Sequence, residues 1–201
     1  MNKKWLNVLA SEIETRHGKE VSDRIFGDID AVENSQESIS VWFKNFTSGM
    51  DRLNDKDFLI SMMESNCPCG GNWTKEGEII KDFFDNSKTY EEFAGMFDKW
   101  QHSMWKGAED ILELRGNVLY LIKRPMNNKD SGKCGMGCHC ELARKTDNYI
   151  SDIFCYCCTV GHTGRPFRHA FGKDIIIRFV DSIVVGGKAC TMAVHLPALY
   201  K

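Results

Sequence analysis

The chain has 201 residues, 42% hydrophobic and 27% charged, with a formal net charge of -2. That is ordinary globular composition, long enough for one substantial core without disulfide staples. The near-neutral balance excludes a basic footprint for nucleic acid and a polybasic membrane patch, and leaves small neutral or anionic molecules as expected ligands.

The apolar start from Trp5 to Ala10 is broken by Asn7 and closed by Glu12 and Glu14, which is too short for a signal peptide. No run approaches the roughly 18 apolar residues of a membrane span. The expected compartment is therefore the cytoplasm, and no membrane partner is expected. From Lys4 to Arg16, Trp5, Val8, Leu9 and Ile13 recur at helical spacing, and a short segment from Val21 to Phe26 ends at Gly27. Ile39, Trp42, Phe43, Phe46 and Met50 mark a third helix. Asp55 is placed to cap a fourth, with Phe58, Leu59, Met62 and Met63 on its buried face, ending at Asn66-Cys67-Pro68-Cys69-Gly70-Gly71. Ile79, Ile80, Phe83 and Phe84 suggest a fifth. Thr89 with Glu92 forms a capping box for a sixth, which carries Phe93, Phe97 and Trp100. The aromatic and Met stripes are read as core.

The character changes after Gly107. Ile111 to Leu114 and Val118 to Ile122 flank Arg115-Gly116-Asn117 and predict a hairpin. A helix is expected within Phe154 to Phe171, kinked or restarted at Pro166. A strand follows over Asp174 to Val180, then a turn at Gly186-Gly187 and a closing strand from Ala189 to Leu196. The expected fold class is α+β: residues 1–106 mainly helical, packed in one domain on an antiparallel sheet with a glycine-bearing helix in 107–201.

Six of the nine cysteines fall between Cys134 and Cys158. Clustered thiols in a reducing compartment can bind a soft metal or attack an electrophile. Cys138, Cys140, Cys155 and Cys157 form two Cys-x-Cys pairs that can supply four thiolates to zinc or an iron–sulfur cluster. Cys67, Cys69 and Cys134 are additional candidates: Pro68 and the following glycines force a turn in which both thiols of the first pair can face the same way, while a helix ending in Pro and Gly is equally plain punctuation. Cys158 and His162, four apart, are candidates for nucleophile and base on a continuous helix. The same residues are open to plainer readings, Cys155 and Cys158 as small buried apolar groups and His162 as a packed histidine. Arg165 and Arg168 either bind a substrate carboxylate or lie exposed on the helix. Cys190 is read as core.

The stretches Gly161-His162-Thr163-Gly164-Arg165-Pro166-Phe167, Phe171-Gly172-Lys173 and Ser182 to Cys190 resemble the end of 4-vinyl-reductase-type ligand-binding domains. They are similar too to bacterial proteins grouped with 2-amino-thiazoline-4-carboxylate hydrolase. Cys138-His139-Cys140 and Cys155-Tyr156-Cys157 look like the two pairs of an uncharacterised cysteine-rich bacterial set in that group. The resemblance covers about the last fifty residues. It implies a small-molecule pocket, sometimes with a bound metal, in a sensor, a binding protein, a metalloenzyme or a thiol hydrolase. Phe179 and Ser182 stand where some of those sensors carry Glu and Cys as zinc ligands, so that zinc site does not transfer. A second copy of the chain is also an open partner.

Overall fold

The computed structural model describes residues 3–32, 35–69, 72–104, 111–125, 138, 140, 143 and 151–199. Cys134 and His139 lie outside them. The fold is α+β, with helices first and a four-stranded antiparallel sheet in the second half.

Helices α1 (Lys3–His17), α2 (Lys19–Phe26) and α3 (Gln36–Asp51) follow their apolar stripes, and the Ser35 hydroxyl caps α3 by accepting from the Ser38 N–H at 3.1 Å. Helix α4 (Lys56–Ser65) begins after Asp55, but that carboxylate makes no cap hydrogen bond. It faces α1 instead, 3.1 Å from Arg16 and 3.4 Å from His17, since an ion pair to a guanidinium is stronger than one bond to a backbone N–H. Helix α5 (Trp73–Asp85) is capped by Asn72. At the start of α6 (Tyr90–Met104), Thr89 accepts from the Glu92 N–H at 3.2 Å. Glu92 in turn accepts from Lys88, one residue before the position a capping box expects, at 2.6 Å. Among the described residues no helix is long and apolar enough to cross a membrane.

Strands β1 (Ile111–Arg115) and β2 (Val118–Lys123) form the hairpin, and Gly116 takes the positive φ of 61° that its two-residue turn requires. Strand β3 (Ile177–Asp181) starts later than the expected Asp174, because the chain is still leaving the turn at Gly172. The last strand, β4 (Cys190–His195), inserts between its predecessors, giving the order β1-β2-β4-β3. Its register sets Cys190 opposite Lys123.

Two apolar clusters form. Helices α1 to α4 pack around Phe43 and Phe46, whose rings meet Phe154 edge-on at 4.7 and 5.3 Å. The second cluster sets Phe93, Phe97 and Phe167 on Leu119, Leu121, Met192 and Val194, the alternate residues of one sheet face. Between the clusters runs one helical stretch of three parts: α7 (Ile153–Tyr156), a π-helix (Cys157–Thr163) and α8 (Arg165–Phe171), which Pro166 restarts in its first turn. The expected restart at Pro166 is present, and the helix before it is interrupted by a π segment that carries Cys157, Cys158 and His162.

Candidate metal centre and the adjoining cavity

Gly161 explains how distant thiols meet here. A β-carbon at this position would stand 2.8 Å from the Glu64 carbonyl oxygen and 3.2 Å from the Glu64 α-carbon. Only glycine lets the end of α4 lie against the π-helix this closely. The chain leaves α4 through Asn66, whose amide donates to Glu12 at 2.8 Å and whose carbonyl accepts from the Trp5 indole. Arg165 donates to the carbonyls of Ser65 (3.2 Å) and Cys67 (3.3 Å) and lies over the Trp73 ring at 4.2 Å. These contacts fix the Cys67-Pro68-Cys69 turn against His162. One ligand atom each from Cys67, Cys69 and His162 lies within 4.8 Å of the others, the one such group among the described residues.

That spacing suits a single small cation. With zinc–sulfur bonds near 2.3 Å and zinc–nitrogen bonds near 2.0 Å, ligand atoms on a tetrahedron stand about 3.6–3.8 Å apart, a rotamer adjustment away. Cys157 hydrogen-bonds Cys67 and is a further thiol beside the group. Its hydrogen bond to Cys67, together with burial, pushes the Cys67 thiol up to about 12. The hydrogen bond to Cys67 and burial likewise raise Cys69. Thiols held this way stay protonated and inert until a cation displaces the proton.

His162 is held neutral. Burial first, then the charges of Lys123 and Arg165, lower its pKa from 6.5 to about 4. Its Nδ1 is buried without a hydrogen-bond partner, which costs about 1–3 kcal/mol, and a cation would supply the missing partner. The unfolded chain takes up a proton near pH 6.5 that the folded chain refuses until about pH 4. His162 therefore contributes stability that is complete above pH 6.5 and is lost as the pH falls to about 4. Thermal melts of the chelator-treated protein should show Tm falling from pH 7 to 4.5, and His162→Gln should flatten that slope.

His162 also borders a cavity of about 260 Å³. Trp73, Trp100 and Phe97 wall it, and Glu76, Gln101 and Lys123 bring polar groups to it. Burial raises the Glu76 pKa. Trp73 Nε1 is buried without a hydrogen-bond partner, and the Trp73 ring meets His162 edge-on at 6.0 Å. Lys123 donates to the Thr163 hydroxyl at 2.7 Å.

The residues proposed from the sequence divide between two places. Cys155 and Cys157, two apart, face opposite ways: Cys157 meets Cys67, while the Cys155 thiol donates to the Ser182 hydroxyl at 3.1 Å. Cys138, Cys140, Cys155 and Cys158 line a different, smaller void with Cys190. Cys158 and His162 border separate cavities. Burial raises the Cys158 pKa. Arg168 donates to the Val160 carbonyl at 2.9 Å and pairs with Glu64 at 3.4 Å. Lys123 and Cys190 had no functional reading in the sequence, and only their pairing across β2 and β4 brings them to the thiols. All eight described cysteines are free thiols. No protein-family model matches the sequence, and no curated protein is significantly similar to it.

Proposed function

We propose that this is a zinc-binding protein that presents its metal at the edge of a small-molecule cavity. Cys67, Cys69 and His162 hold the ion, and the fourth position is taken by Cys157 or by a ligand entering from the cavity. The observation that carries this reading is the approach of the three ligand atoms to within 4.8 Å. So compact a set favours a single ion over an iron–sulfur cluster, whose several irons hold their thiolates further apart. Two thiolates and a neutral imidazole cancel the zinc charge. A third thiolate leaves one negative charge beside Lys123 and Arg165, both of which act electrostatically on Cys69. Such a site belongs in a reducing compartment such as the cytoplasm.

The aromatic walls and the orphaned Trp73 Nε1 suit a flat small molecule carrying a hydrogen-bond acceptor. The likeness of residues 161–190 to ligand-binding domains supports the same reading, as His162 and Thr163 of that stretch border the cavity. A thiol-hydrolase mechanism through Cys158 has less support, because desolvation raises the thiol pKa of this half-buried residue and His162 borders another cavity.

Zinc analysis and cobalt substitution test the proposal. One zinc per chain is expected, and the cobalt(II) form should show intense sulfur-to-metal charge-transfer absorption. A chain that retains no zinc after loading and gel filtration, or a cobalt form without thiolate bands, sinks the reading.

A further inference from the structure

The second set of thiols stands apart from the Cys67 turn. Cys138, Cys140, Cys155, Cys158 and Cys190 line a void of about 20 Å³, with Phe154 and Val184 closing apolar sides and Lys123 bringing a charged group. Three parts of the chain meet there. Cys155 and Cys158 come from the junction of α7 with the π-helix, Cys190 opens β4, and Cys138 and Cys140 come from the chain between β2 and α7. The charge of Cys158 acts on Cys138, Cys155 and Cys190 alike, as short separations in a poorly polarisable interior require.

The donor set and the void select the ligand. A water-sized guest needs about 10–15 Å³, so the void suits one small ion and no larger guest. Five of the lining residues offer sulfur, and the Thr159 hydroxyl beside them is engaged with the Cys155 carbonyl, so the free donors select soft cations. Zinc asks for four ligands about 3.8 Å apart, whereas among the described residues no three of these sulfurs lie within 4.8 Å of one another. Copper(I) has a filled d shell and is satisfied by two or three thiolates. We infer that Cys138, Cys140, Cys155, Cys158 and Cys190 form a second metal site, which takes copper(I) through two of their thiolates while Lys123 offsets the negative charge. Each thiol that coordinates releases its proton to solvent, and neither copper nor sulfur changes oxidation state. This site shares only Lys123 with the zinc reading and uses none of Cys67, Cys69, Cys157 and His162.

The test is an anaerobic titration of the full chain, with and without zinc, using copper(I) delivered as its bicinchoninate complex. One copper(I) per chain is expected to leave the chelator, with any bound zinc retained. X-ray absorption should show a shell of two sulfurs and no nitrogen. Cys155→Ser and Cys190→Ser should each weaken copper(I) by on the order of 100-fold or more without changing zinc content, which also reports that the variants fold. Cys67→Ser should leave copper(I) binding intact. Copper left on the chelator, copper uptake that expels zinc, copper binding lost in Cys67→Ser, or a brown sulfide-containing protein would each overturn the inference. Copper bound by a chain that takes no zinc supports it and sinks the zinc reading instead.

Discussion

Cys69→Ser is expected to bind zinc at least about 100-fold more weakly than the parent chain in competition with a chromophoric chelator. A structural zinc site in a small peptide is worth about 10–16 kcal/mol in all. One of four ligands therefore carries roughly 3 kcal/mol, or somewhat more than two decades of affinity. Serine keeps the size and removes the soft, ionisable donor. Cys69 is the better position for this test because it is exposed, whereas Cys67 is part of the first apolar cluster. A change at Cys67 would mix lost coordination with lost packing. The metal-free Cys69→Ser chain should melt within about 1–2 °C of metal-free parent, a shift equivalent to an ordinary surface substitution. An affinity within threefold of the parent would remove Cys69 from the ligand set.

Gly161→Ala is expected to destabilise the fold by about 2–3 kcal/mol, near the upper range for overpacking. In urea unfolding this is a lowered midpoint with little change in slope, and in a melt a drop of about 5–10 °C for a chain of this length. The atoms that the new methyl would meet are the backbone of Glu64 and the carbonyl of Met63, 2.8 to 3.2 Å away. Backbone cannot rotate aside, so α4 must retreat. Since α4 runs directly into Cys67, the retreat separates the thiol turn from His162 and weakens zinc as well. Gly95→Ala on α6 is the control. Nothing stands within 4 Å of its would-be β-carbon, and replacing an unhindered helical glycine should stabilise by up to about 1 kcal/mol. Equal effects at the two positions would mean that close approach at Gly161 is not what holds α4 in place.

The helices and the hairpin were readable because their signals are local. Trp5, Leu9 and Ile13 repeat within one element, Thr89 and Glu92 sit three apart, and Gly116 answers a two-residue turn. The metal centre was less readable, because it depends on what lies across from each residue. Reading residues 154–171 as helix already implied that Cys155 and Cys157, about 200° apart around the axis, do not point the same way. Cys-x-Cys was nevertheless read as a pair. The partner of Cys157 is Cys67, ninety residues earlier in the chain, and only the α4 contact at Gly161 brings it there. The widening to a π turn has no local composition signal. Asp55 shows the same limit on a smaller scale: its position at the helix start was readable, and the competing cations on α1 were not.

The π-helix also makes residue count as important as residue identity. Loops absorb insertions and deletions readily, but here Cys157 borders one thiol set, Cys158 the other, and His162 must return to the first. Deleting one residue between Cys158 and His162 would turn everything after it by about 100° around the axis, with every ligand still present in the sequence. Among natural variants of this chain, single-residue gaps along the stretch should be rarer than substitutions at its positions other than Gly161 and the thiol and imidazole residues.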